Sequence, residues 1–215
     1  MKSNNAEIFN HDGQADIYDK NVLNEVNPIR AGYEKTLCLI IKTSKITERS
    51  KVLELGSGTG NLTSKIDSCR SLTCIDLSEK MNEKSNIKCS HLSYKNFIKS
   101  DFIEFFETNN DKFDVIISSY SLHHLTSEEK IKILEYSSKF LNENGKMVIG
   151  DLMIDNHYEL NNLKKKYKED ESTYSSLEGE FYWFKDETTK NIEEFYKNYR
   201  IVKISEMSSV IVAEK

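Results

Sequence analysis

Two adjacent histidines, His123 and His124, stand in 118-SSYSLHHL-125, directly after an apolar run that ends in Ser118 and Ser119. Imidazole titrates near neutrality, so a histidine placed at the end of a strand can take a proton from a nucleophile. The competing reading is that one ring packs against, or caps, the next helix. Tyr18, in 14-QADIYDK-20, offers a phenol that could contact a ligand or lie over it. In 51-KVLELGSGTGNLTSKI-66, Gly56, Gly58 and Gly60 alternate with Ser57 and Thr59 and are followed by Asn61. Such glycines let a ligand approach the backbone with no Cβ in the way. The dinucleotide fingerprint needs its third glycine where Asn61 stands, and no Gly-Lys-Ser/Thr follows to make a P-loop. Glu54 precedes the first glycine by two residues, where it would repel a pyrophosphate and suit an ammonium group. Asp76, in 74-CIDLS-78, ends a second apolar run, a position from which an acid accepts hydrogen bonds from ribose hydroxyls. Asp101, in 99-KSDF-102, could accept from an adenine amino group.

These residues need a scaffold that brings successive strand ends together. Apolar runs at 51–55, 72–77, 113–119 and 146–152 read as strands buried on both faces, with a weaker strand at 94–100. Helical patterns fall at 28–43, opened by Pro28, and at 60–68, 78–85 and 127–141. The last has Thr126 and Ser127 as possible N-caps and closes on Asn144-Gly145. Strand and helix alternation predicts a parallel sheet with crossover helices. Past residue 157 the alternation stops. Leu160, Leu163 and Tyr167 suggest a short helix, and Ile192, Phe195, Tyr196 and Tyr199 another, with the aromatic patch 178-EGEFYWF-184 between them. That patch could form a lid or acceptor pocket, or simply pack late helices onto the sheet. The runs 200–207 and 208–215 read as an antiparallel hairpin at the sheet edge.

The bulk numbers exclude several functions. A chain of 215 residues favours one domain. Its net charge of −5 makes it a poor nucleic-acid binder, because that affinity comes mainly from Lys and Arg on phosphates. The basic run 164-KKKYK-168 is followed at once by 169-EDE-171 and reads as a solvated helix face. Four cysteines without a CxxC pair, no apolar signal core and no long apolar run lead us to expect a cytoplasmic protein with no membrane partner. Asp151, Asp155 and His157 carry metal-ligating groups, but no bound metal is expected from them.

With these residues in order, the chain resembles the class I S-adenosylmethionine (SAM) methyltransferases. The resemblance rests on 52-VLELGSGTGNLT-63, 74-CIDLSEKM-81, 100-SDF-102, 113-FDVIISSYSLHHL-125 and 145-GKMVIGDL-152, and covers about residues 15–155. Within the class it is most similar to small bacterial enzymes, some linked to methionine and SAM recycling. The resemblance implies an α/β, Rossmann-like seven-stranded sheet, mostly parallel with a C-terminal antiparallel hairpin and helices on both faces. It also implies SAM as cofactor and S-adenosyl-L-homocysteine (SAH) as product. Glu54 with Gly56, Ser57, Gly58, Gly60 and Asn61 would surround the methionine part, with Tyr18 near its carboxylate. Asp76 would take the ribose, Leu77 and Met81 would cover the adenine faces, and Asp101 with the Phe102 backbone would read the adenine edge. Ser118 and Ser119 would meet the cofactor at the fourth strand end. Residues 1–45 are expected to form a helical cap, 46–155 the SAM-binding core and 156–215 the elements that complete it. The Asn/Asp-Pro-Pro-Tyr/Phe motif of amino-directed DNA methyltransferases is absent after the fourth strand. The expected activity is therefore methyl transfer to O, N or S of a small molecule. A SAM-binding sensor without turnover is the alternative.

Overall fold

The structure, a computed structural model, describes residues 18–215. Of the segment 14–20, only Tyr18–Lys20 therefore lies within the described residues. The core strands are β1 (Lys51–Leu55), β2 (Ser71–Asp76), β3 (Lys95–Lys99), β4 (Phe113–Ser119) and β5 (Leu141–Ile154). They are followed by β6 (Trp183–Phe184), β7 (Asn198–Lys203) and β8 (Ser208–Glu214). Seven of them lie in the order β3-β2-β1-β4-β5-β8-β7, and the two-residue β6 pairs with the end of β5 off that path. β1 to β5 pair in parallel, and β8 runs antiparallel to both β5 and β7. The expected seven-stranded mixed sheet is present, with β6 as an addition contributed by the aromatic patch.

The apolar runs become central strands because alternate side chains enter two separate cores. On β5, Val148, Leu152 and Ile154 face one layer, and Met147, Ile149 and Met153 the other. The first layer holds Leu37 and Ile40 of helix α2 (Tyr33–Ser44), beside the short α1 (Tyr18–Val22). The second holds α4 (Phe102–Thr108) and α5 (Ser127–Phe140). Helix α3 (Glu79–Lys88) packs on β2 and β3. The late helices are α6 (His157–Lys166), α7 (Glu171–Gly179) and α8 (Lys185–Phe195).

Four local expectations are corrected. The helix expected over 28–43 breaks: Pro28–Arg30 forms one 3-10 turn, and α2 starts only after Gly32, which is left-handed at φ 78°. Over 60–68 a single 3-10 turn, Thr63–Lys65, replaces the helix. Asn61, Thr63 and Ser64 are weak helix formers, and the Thr63 hydroxyl turns inward to Glu54. Asn144 does not close α5, which ends at Phe140. At φ 63° it sits inside β5, where the register with β4 shifts between Phe113 and Val115. Helix α4 was not anticipated, because 102-FIEFF-106 carries apolar side chains at nearly every position and shows no clean helical period.

Candidate active site

The C-terminal ends of β1, β2 and β4 meet at the glycine loop. The backbone N–H groups of Gly56 and Ser57 both donate to the Ile75 carbonyl, at 2.8 and 3.3 Å, folding the loop over the end of β2. Gly56 has φ 72°, and a Cβ there would lie 1.9 Å from the Ser121 hydroxyl oxygen. No other residue fits that position without moving the neighbouring turn. The Phe102 ring lies on the same side, 3.5 Å from that Cβ position. Asp76 holds the loop from below. Its Oδ2 accepts from Gly58 N at 2.8 Å and its Oδ1 from Ser78 N at 2.9 Å. Leu77 beside it is half-buried, and Met81 on α3 is fully buried. Ser118 is buried and donates to the Leu55 carbonyl at 2.8 Å, while Ser119 is half-buried.

Glu54 is fully buried behind this loop. Its Oε2 accepts from Thr63 Oγ1 at 2.7 Å, but its Oε1 has no hydrogen-bond partner among the described residues. Burial pushes its carboxyl up to about 8, against the opposing Thr63 hydrogen bond. Its unused oxygen therefore lacks the partner that a buried polar atom ordinarily has.

Two residues assigned to the cofactor also hold the protein together. Asp101 is the N-cap of α4, with Oδ1 accepting from Ile103 N at 2.9 Å and Glu104 N at 3.2 Å. The Asn61 side chain turns into a clasp that the sequence did not reveal. Its Nδ2 donates to Asp19 Oδ1 and to Tyr33 Oη, each at 3.1 Å, and its Oδ1 accepts from Lys88 at 2.6 Å. Asp19 also takes Thr59 Oγ1 and an ion pair with Lys88 at 2.8 Å. The only sequence signal for this clasp is the Tyr18-Asp19 pair itself. The clasp fixes α1 on the loop, with the Tyr18 ring 4.0 Å from where a Gly58 Cβ would be. Burial raises the Tyr18 phenol, and Arg30 works against that.

The histidine turn lies beside the loop through Ser121. The buried Tyr120 turns the chain at φ 46° after β4, with its N–H on the Gly150 carbonyl at 2.8 Å. His123 is buried, with Nδ1 2.6 Å from Asp151 Oδ1. The same carboxylate accepts from Leu152 N at 2.8 Å and from Trp183 Nε1 at 3.3 Å. Burial pushes Asp151 up, but His123, Leu152 N and Lys130 outweigh it and its pKa is lowered. An ionised carboxylate only accepts, so Nδ1 of His123 donates to it, and Nε2 is the ring nitrogen that Asp151 does not engage. Nε2 lies 3.6 Å from Glu180 Oε2, and so does Nδ1 of His124, whose ring lies 4.1 Å from that of His123. The aromatic patch is tied here by Phe181 N on the His123 carbonyl at 3.1 Å. Lys130 Nζ bonds the Phe181 and Tyr182 carbonyls. Asp155 and His157 go elsewhere, to Lys203 and Glu187.

The strand order, the antiparallel β8 and the glycine loop over Asp76 define a Rossmann-like fold of the methyltransferase type. A family model for the methyltransferase domain matches residues 46–200. An uncharacterized methyltransferase of Alkaliphilus oremlandii is 29% identical over 210 residues, 95% of each chain. Another from Anoxybacillus flavithermus is 31% identical over 185 residues, 84% of this chain and 78% of its own. Among solved structures, the N-methyltransferase NodS of Bradyrhizobium japonicum in complex with SAH has a similar fold. Its TM-score is 0.62 at 17% identity, with 88% of each chain covered. The chain belongs to the methyltransferase-domain family, and its fold is that of the class I SAM-dependent enzymes.

Proposed function

We propose that this chain is a SAM-dependent methyltransferase acting on O, N or S of a small-molecule acceptor. The observation that carries this reading is the pair of acids at the loop: Glu54 with an unused buried oxygen, and Asp76 across the glycines. Both are wrong for a phosphate ligand and suit an ammonium and a ribose. Glu54 and the backbone of residues 56–60 hold the methionine part, and Asp76 takes the ribose hydroxyls. Leu77 and Met81 border the adenine, Asp101 and the Phe102 backbone read its edge, and Ser118 and Ser119 close the strand end. Tyr18 lies over the loop. SAM supplies a methyl group already activated on a sulfonium, so the protein is asked mainly for alignment and dehydration, an effect worth ~7–11 kcal/mol.

His123 is oriented by Asp151 and presents Nε2 towards the acceptor end. As a general base it would contribute about 10²–10⁴-fold. The acidic net charge favours a small acceptor over a nucleic acid. Four free cysteines fit a reducing cytoplasm, and no described helix is long and apolar enough to cross a membrane. Residues 1–45 serve as a cap, 46–155 as the cofactor core and 156–215 as its completion.

Calorimetric titration with SAM, SAH and NAD tests this. Binding of SAM and SAH near micromolar, weakened about tenfold or more in Asp76→Ala, with none for NAD, is the expected result. No binding of either sulfur ligand overturns it. Binding without methyl transfer to any acceptor would favour the sensor.

A further inference from the structure

The acceptor end holds a set of donors that no step above uses together. His123 Nε2, His124 Nδ1 and a Glu180 oxygen all lie within 4.8 Å of one another, and both nitrogens stand 3.6 Å from Glu180 Oε2. At 3.6 Å these are not hydrogen bonds. They are close to the spacing of ligands around a common ion: metal bonds of about 2.1 Å in a tetrahedron put neighbouring ligand atoms about 3.4 Å apart. We propose that His123, His124 and Glu180 form a divalent transition-metal site, with zinc as the first candidate, at the acceptor end of the active site.

Four observations support this. Glu180 Oε2 is shielded from solvent and has no hydrogen-bond partner among the described residues, so it lacks the partner a buried carboxylate oxygen requires. His123 is preset as a ligand: Asp151 holds Nδ1 at 2.6 Å and aims Nε2 at Glu180. A carboxylate on the far nitrogen is the usual support of a metal-bound histidine, fixing its tautomer and raising its basicity. That carboxylate is itself fixed by Leu152 N and Trp183 Nε1. The third ligand is also held in place, since Phe181 N bonds the His123 carbonyl and ties the residue after Glu180 to the histidine turn. Charge favours a cation as well, because Asp151 and Glu180 outnumber the neighbouring Lys130.

Two imidazoles and one carboxylate suit zinc, iron(II), cobalt(II) or nickel(II) and poorly suit magnesium or calcium. Three protein ligands leave a coordination position open, as in catalytic rather than structural sites. A hydroxyl or thiol of the acceptor bound there would lose its proton to solvent more readily, because a bound cation stabilises the anion. That role rests on the methyltransferase reading and would replace the base role of His123. The metal site itself does not depend on that reading.

The test uses protein stripped with a chelator and then titrated with Zn²⁺ by calorimetry and with Co²⁺ by visible absorption. One equivalent should bind at micromolar affinity or tighter, and Co²⁺ should develop visible d–d bands that Zn²⁺ removes. Glu180→Gln and His124→Ala should each weaken binding by about 100-fold or more. Both residues lie at the partly exposed side of the cluster, and a melting curve confirms that each variant is folded. His123→Ala is left aside because that buried ring supports the fold. SAH titration of the same samples separates the two readings: metal binding with no SAH binding removes the cofactor assignment and leaves the site. SAH binding with no stoichiometric metal, or metal binding that both variants retain, overturns the site.

Discussion

At the glycine loop, backbone amides meet carboxylates: Gly58 and Ser78 on Asp76, Ile103 and Glu104 on Asp101. At the histidine turn, side chains meet side chains: His123 and Trp183 on Asp151, and His124 beside Glu180. The first region draws its partners from neighbouring strand ends. The second joins the β4 exit, the C-terminal end of β5 and the aromatic patch that includes β6. A backbone-held region keeps its shape through many side-chain changes. A region held by buried side chains depends on each of them, because truncating one strands the rest away from water.

The contrast predicts its largest effect at Asp151. Asp151→Ala leaves the His123 Nδ1–H, the Leu152 N–H and the Trp183 Nε1–H without their acceptor in a fully buried place. Losing one partner of such a buried set costs on the order of 3–5 kcal/mol, readable as a lower urea midpoint. Asp151→Asn, which keeps an acceptor, should cost less. If Asp151→Ala lost under about 1 kcal/mol, the histidine turn would not be held by side chains in this way.

The next effect sharpens the comparison at the loop. Glu54 has an ordinary carboxyl pKa when unfolded and one raised to about 8 when folded. Between those values the folded chain keeps a proton that the unfolded chain has lost. Stability is therefore full below the unfolded pKa, falls as pH rises towards 8, and then levels off. The slope approaches ~1.4 kcal/mol per pH unit where the two states differ by a whole proton. Ligand-free wild type should melt progressively lower from pH 5 to 8, and Glu54→Gln should remove most of that slope. Asp151, Asp19 and Glu206 have lowered values and act in the opposite sense at more acid pH. An unchanged slope in the variant would mean that Glu54 is already ionised in the folded chain.

The same division explains what could be read from sequence. β1, β2, β4, the β7–β8 hairpin and α5, with its Thr126–Glu129 capping box, follow local signals of periodicity and capping. The loop acids follow too, since they sit at fixed offsets from strand ends. Glu180 does not. Nothing near 178-EGEFYWF-184 indicates that its carboxylate will arrive between two histidines, because the folding of α7 and β6 brings it there. Asn61 and Asp101 do more than their positions beside the loop indicate, because the structure gives each a bonding role inside the protein as well.

Asp19 is the exception that tests the contrast, because it is a side chain holding the backbone-built region. It accepts from Thr59 and Asn61 and pairs with Lys88, and so presses Tyr18 onto the glycines. Burial pushes its carboxyl up, but Lys88, Thr59 and Asn61 outweigh burial and its pKa is lowered. Both charges of the pair are partly in water, at 32% and 43% side-chain exposure. Such a pair is worth only about 0–1 kcal/mol and weakens with salt. Asp19→Asn should therefore shift the melting temperature very little. Its effect should appear in the ligand, because a loosened Tyr18 no longer preorganises the cover over the loop. A loss of roughly threefold to tenfold in SAH affinity, mostly as faster release, is expected from calorimetry and stopped-flow fluorescence. Wild type at high salt should move part of the way towards the variant. If Asp19→Asn weakened SAH as much as Asp76→Ala does, the loop would depend on its side-chain clasp as heavily as the histidine turn depends on Asp151. The two regions would then be built on one principle rather than two.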